Sequence, residues 1–138
     1  MGPLLVVAAI IPEEDKYGKI RYLMTKRAEG KMFSGQWEFP GGTVREGESP
    51  EQALERELMG ELGIEIVVDE GFLRIDYTTP DGFEINLAAY RCRHVSGEIS
   101  MNEKEVSDYD YIFPKLMDIY PILRVDQFIV EQLLREAA

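Results

Sequence analysis

The sequence predicts an α/β fold in which a mixed β-sheet carries helices on both faces. Three observations predict it. "LLVVAAIIP" (4–12) is an unbroken apolar run rich in β-branched residues, the signature of a strand buried on both sides. One internal helix with marked ends lies between strand-like segments (49–63), and a second, amphipathic helix closes the chain at 125–138. The 138 residues suit one domain spanning 1–138.

The elements follow in order. After the first strand, "PEEDKYGK" (12–19) reads as a polar turn and "IRYLMTKR" (20–27) as a second strand. "AEGKMFSGQ" (28–36) is a loop, and "WEFPGGT" (37–43) a short extended piece that Pro40 stops. The internal helix has Ser49 as its cap, Pro50 at the first helical position and Gln52 completing a capping box. Ala53, Leu54, Leu58 and Leu62 recur at helical spacing and should face a core, with the end near Gly63. "EIVVDEGFLRIDYTTP" (65–80) and "GFEINLAAYRCRHV" (82–95) flank the turn signal "TPDG" and read as a hairpin. "SDYDYIFP" (107–114) is a further strand. In the last helix the apolar residues fall at 128, 129, 130, 133 and 134.

Composition narrows the function. The chain is 45% hydrophobic and 30% charged, a soluble balance, and no apolar run approaches the ~20 residues that span a bilayer. The N-terminal stretch lacks the basic region of a signal peptide, and position 6 lacks the Ser or Thr of a myristoylation signal. Cys92 is the only cysteine, which points to a reducing cytoplasm and to a packed strand thiol. His94 stands alone and reads as structural or solvent-facing. A net charge of −11 argues against a nucleic-acid polymer as partner. It is compatible with a small phosphorylated ligand reached through a divalent cation.

Glu57 and Glu61 stand four apart and share a helix face, with Gly60 beside both and Arg56 able to pair with Glu48 or Glu57. Like charges so placed repel unless a cation joins them, and all-oxygen ligands suit Mg²⁺ or Mn²⁺. The upstream "PGGT" can bring bare backbone against that face. The same residues could also form an ordinary solvated helix face.

The whole constellation decides between these. Gly42, Glu48, Arg56, Glu57, Leu58, Glu61, Gly63 and Ile64 match the spacing G-x5-E-x7-R-E-U-x-E-E-x-G-U, with U aliphatic. The sequence thereby resembles the Nudix hydrolase family. "VVAAII", "TKRA" and "WEFPGG" resemble its MutT-like branch. One position departs: Gly60 stands where the first Glu of the E-E pair is expected.

The resemblance implies an α/β/α sandwich and Mg²⁺-dependent hydrolysis of a nucleoside triphosphate to monophosphate and pyrophosphate, with Mn²⁺ as an alternative ion. By position it implies Gly41 as a carbonyl ligand and Glu57 and Glu61 as carboxylate ligands. Glu57 would also orient or deprotonate water, and Arg56, Glu48 and Gly42 would support the carboxylates. Arg27 would contact phosphate. A loop carboxylate is expected from Glu105, or from Glu103 at the same spacing from an aromatic. Asp126 matches a base-reading position and is equally suited to cap the last helix. Tyr77, Phe83, Tyr90 and Phe128 are candidates for base stacking or for core packing. Hydrolysis of a nucleotide sugar or dinucleotide, and nucleotide binding without turnover, remain alternatives. The partner is a small nucleotide, and the chain a monomer or homodimer.

Overall fold

The computed structural model describes residues 2–137. Eight strands, two α-helices and one 3-10 helix follow in the order β1 (Leu4–Ile10), β2 (Pro12–Glu14), β3 (Ile20–Arg27), β4 (Trp37–Glu38), β5 (Gly41–Thr43), α1 (Pro50–Leu62), β6 (Glu65–Thr78), β7 (Glu84–Ser96), β8 (Val106–Ile112), the 3-10 helix Pro114–Ile119 and α2 (Gln127–Ala137). One sheet runs β5-β1-β7-β6, and the other places β3 between β8 on one edge and β2 and β4 on the other. β1 pairs parallel with β7, whereas β5 pairs antiparallel with β1 and β6 antiparallel with β7, so the sheet is mixed as expected.

The continuous apolar run of β1 is explained by two cores. Val7, Ala9 and Ile11 join Ala53, Leu54, Leu58 and Leu62 of α1. Ala8 and Ile10 point the other way and join Ile129 and Leu133 of α2. Successive strand residues face opposite sides, so a strand covered on both faces carries no polar position. Each fully buried Leu of α1 contributes about 1.5–3 kcal/mol of apolar burial. The apolar stripe predicted for α2 is buried at Ile129 and Leu133, whereas Leu134 is exposed.

α1 is bounded as its sequence predicts. The Ser49 hydroxyl accepts from the Gln52 backbone N–H, the Gln52 side-chain oxygen accepts from the Ser49 N–H, and Pro50 sits in the first turn. Gly63 ends it in the left-handed region at φ 67°, its N–H donating to Met59 O, a conformation glycine adopts without side-chain cost.

Three local readings are corrected. The segment 12–19 is not all turn: Pro12–Glu14 pairs with Ile20–Tyr22, and the Asp15 carboxylate folds the turn by accepting from the Tyr17 and Lys19 amides. The extended piece 37–43 is two strands in different sheets, because the chain crosses over at Phe39–Pro40. The last helix begins at Gln127, two residues later than expected, and Ala138 lies outside the described residues. The 3-10 helix had no counterpart in the sequence reading; Pro114 starts it and only Met117 of its residues is buried. Cys92 is buried, and burial pushes its thiol up to about 12, so it is inert. His94 is exposed and its Nε2 lies 2.6 Å from Gly97 O.

Candidate active site

The site forms where β5 passes beneath α1. β5 pairs with Val6–Ala8, and a Cβ on Gly41 would lie 2.0 Å from the Val7 carbonyl oxygen. A Cβ on Gly42 would lie 2.5 Å from Cδ of Glu57. Two adjacent glycines are therefore required: one lets β5 approach β1, the other lets the Glu57 carboxylate rest on bare backbone.

Arg56 organises the front of this cradle. Its Nε and one terminal nitrogen grip both oxygens of Glu48, at 2.7 and 2.9 Å. The same terminal nitrogen donates to Thr43 O, and the other reaches Glu57 Oε1 at 2.8 Å. The planar fork makes this two-sided clamp possible, which a lysine ammonium could not reproduce. The guanidinium holds Glu48 down at about 2. Both predicted pairings of Arg56 are thus present together.

Glu61 lies behind Glu57 and differs from it. It is only 8% exposed, and its Oε1 is buried without a hydrogen-bond partner. Burial, then the nearby carboxylates of Glu38 and Glu57, push it well above the ordinary carboxylate range, against the backbone of Gly41 and the charge of Lys31. A buried carboxylate with one oxygen unpartnered, set among like charges, is destabilising by itself, so its presence points to a positively charged ligand.

Two residues that the sequence reading left unassigned belong to the cluster. Glu38, on β4, is bound by Arg27 at 2.9 Å and is raised by burial despite that cation. Its signal was present in "WEFPGG", where it stands between two aromatic residues that face inward. Lys31, the cation of the 28–36 loop, pairs with Glu105. Arg27 also donates from Nε to Met32 O at 2.7 Å, so in this structure it ties the loop to β4. Among the described residues Glu105 forms an ion pair, with Lys31, and Glu103 forms none.

The loop bearing Glu105 is docked on the end of α1. Ser100 N–H donates to Leu62 O, Asn102 N–H to Glu61 O, and the Asn102 amide to Gly60 O at 3.3 Å. Gly60 itself is exposed, and a Cβ there would meet nothing within 4 Å. Asp126 is 4% exposed and raised well above its ordinary value by burial and by Glu38. Its Oδ2 accepts from Phe39 N–H at 2.8 Å, so the carboxyl does not cap α2 but anchors the crossover ahead of Gly41. Of the aromatic candidates, Tyr77 and Phe128 pack with ring centroids 6.1 Å apart, Tyr90 packs against the α1 core, and Phe83 is exposed.

The donors suit a hard divalent cation: carboxylate oxygens, the bare glycine backbone of β5 and one orphaned buried oxygen. They are not assembled as a finished metal centre. Among the described residues no three acidic, His or Cys side chains converge as ligands. Glu57, Glu38 and Glu105 are each turned to a protein cation, Arg56, Arg27 and Lys31.

The overall fold is shared with solved structures. The solution structure of the E. coli ORF135 protein superposes with a TM-score of 0.82 at 32% identity, over 100% of this chain and 93% of that one. A MutT NUDIX hydrolase from Burkholderia pseudomallei has the same fold, with a TM-score of 0.81 at 24% identity over 96% and 98%. The family model described as the NUDIX domain matches residues 3–131, and the chain belongs to that family. Curated relatives include an 8-oxo-dGTP diphosphatase of Haemophilus influenzae, 45% identical over 54% of this chain and 52% of that protein. A CTP pyrophosphohydrolase of Escherichia coli is 39% identical over 76% and 73%. The chain thus spans about half the length of the first of these relatives and about three quarters of the second. No helix among the described residues is long and apolar enough to cross a membrane.

Proposed function

We propose that the chain is a divalent-metal-dependent pyrophosphohydrolase that splits a nucleoside triphosphate into nucleoside monophosphate and pyrophosphate. The observation that carries this reading is the orphaned, buried Oε1 of Glu61 beside Glu57 and Glu38. The named activities of the relatives, nucleotide diphosphatase and pyrophosphohydrolase, agree with it.

Glu57, Glu61 and Glu105 would hold Mg²⁺ or Mn²⁺, together with backbone oxygen from Gly41. The ion supplies neutralisation of phosphate charge and a more acidic bound water. The protein residues do the rest. Arg56 and Glu48 fix the Glu57 carboxylate through Oε1, which leaves Oε2 to accept a proton from the attacking water. Arg27 and Lys31 present positive charge to the polyphosphate. Burial raises the Asp126 carboxyl above its ordinary value; it accepts from Phe39 N–H on one oxygen, and in its protonated form it donates from the other to a keto or ring-nitrogen acceptor of the base.

Gly60 favours a second reading, nucleotide binding with little or no turnover, because the helix lacks one carboxylate of the motif. Release of pyrophosphate from a panel of ordinary and oxidised nucleoside triphosphates, with Mg²⁺ or Mn²⁺, separates the two. Equal amounts of monophosphate and pyrophosphate support the enzyme. Nucleotide binding with no product supports the second reading. Cleavage of nucleotide sugars or dinucleotides, with triphosphates untouched, would move the substrate to that class.

A further inference from the structure

The cations of the site are unequally committed. Arg56 spends its fork on Glu48, Glu57 and Thr43 O. Arg27 is divided between Glu38 and the Met32 carbonyl. An ammonium has three donors, and Glu105 is the only partner of Lys31 among the described residues. The Lys31–Glu105 pair also joins two loops distant in sequence, 28–36 and 101–105, which the Ala28 N–H to Glu105 O hydrogen bond holds side by side. Lys31 acts electrostatically on both Glu38 and Glu61.

The base of the loop that carries Lys31 is held, by Ala28 N–H donating to Glu105 O, Gly35 N–H to Arg27 O and Arg27 Nε to Met32 O, but its tip buries little side-chain surface. Met32 and Phe33 are 75% and 55% exposed, and Gly30, Phe33 and Gly35 all have positive φ. Few buried contacts mean that the tip can shift at small cost. Lysine also suits the task of changing partners, being a point charge on a flexible stem.

We propose that Lys31 is a phosphate-binding residue held in waiting by Glu105, and that the pair exchanges partners when the site loads. Glu105 turns to the divalent ion, and Lys31 turns to the polyphosphate. This rests on the metal-dependent reading above. It explains why Glu105 joins no assembled ligand set among the described residues: a resident cation, Lys31, occupies its oxygen. It also makes the metal and the phosphate cooperative, because each leaves the other a freed partner.

The test uses the full chain and two probes without turnover. Mn²⁺ alone is titrated calorimetrically into the parent protein, Lys31→Met and Lys31→Arg; inorganic triphosphate is then titrated in the presence of Mg²⁺. Removing the competing ammonium should tighten Mn²⁺ binding about two- to fivefold, the range expected for one partly exposed ion pair. Lys31→Met should weaken triphosphate binding by a similar factor, and Lys31→Arg should restore much of it. Unchanged Mn²⁺ affinity or unchanged triphosphate affinity in Lys31→Met overturns the exchange, and a lowered melting temperature with both affinities unchanged identifies a mere staple between loops. Failure of parent and variant alike to bind Mn²⁺ overturns the metal-dependent reading as well.

Discussion

Glu61→Gln should make the metal-free protein more stable while removing its metal site. In the parent, Glu61 buries a carboxylate with Oε1 unpartnered and with Glu38 and Glu57 adding like charge. An unsatisfied buried group costs about 1–3 kcal/mol, and more when charged. Gln keeps the volume and removes the charge but still leaves an amide to satisfy. A net gain of about 1 kcal/mol is the reasonable figure, equivalent to a rise of about 3–5 °C for a chain of this size. The pH dependence gives the sign independently. The folded value of Glu61 lies well above its ordinary 4.5, so the folded state binds the proton more tightly than the unfolded one. The stability associated with that proton is full below about 4.5 and is lost as pH rises through the raised value. Melting with a chelator present, from pH 5 to 8, should therefore show the parent losing stability with rising pH more steeply than Glu61→Gln. Glu38 and Asp126 are raised too and give both proteins a shared slope. With Mn²⁺ present the order should reverse, because the variant loses at least about tenfold in affinity, the lower bound for disturbing even supporting groups of a metal site. A metal-free variant that melts below the parent at pH 7.5 would refute the claim that Glu61 is held at a cost for a cation.

Further predictions concern the residues around it. Gly60→Glu should strengthen Mn²⁺ binding in calorimetry and raise turnover. Its metal-free stability should stay within about 0.5 kcal/mol, because better helix propensity offsets repulsion by Glu57 and a Cβ has open space; an unchanged metal affinity would refute the missing-ligand argument. Gly42→Ala should lower kcat at least about tenfold with little change in melting temperature, since its Cβ collides with the Glu57 carboxylate, whereas Gly41→Ala meets backbone and should be strongly destabilised. Asp126→Asn should keep kcat/KM within a few-fold at neutral pH, because the amide offers the same acceptor and donor as a protonated carboxyl, while Asp126→Ala should lose about tenfold. Equal losses in the two would show that the ionised form reads the base.

Sequence patterns exposed the parts of this fold that repeat a local rule. The capping box at Ser49 and Gln52, the glycine end of α1 and the two-faced apolar β1 all state their structure within a few residues. The crossover at Phe39–Pro40 was hidden, because one extended segment gives no sign that its halves enter different sheets. The acidic helix was legible through the spacing of Arg56, Glu57 and Glu61 and through the glycines that must lie under it. The partners of its neighbours were not. The pairs Lys31–Glu105 and Arg27–Glu38 join segments that only the tertiary fold brings together, and the aromatic residues that flank Glu38 do not reveal its partner. Asp126 illustrates the limit: its position before a helix suggested a cap, yet its carboxyl is taken by the Phe39 amide from another part of the chain.

The reaction and the role of Glu57 are tested most directly by the products that the parent protein and Glu57→Gln form. Phosphorus NMR of a nucleoside triphosphate incubated with each protein and Mg²⁺ resolves every possible product. The parent should yield monophosphate and pyrophosphate in equal amounts, with none when the metal is chelated, and Glu57→Gln, folded to the same melting curve, should yield neither. Orthophosphate and nucleoside diphosphate from the parent, or a variant within a few-fold of it, would contradict the assignment of reaction and residue.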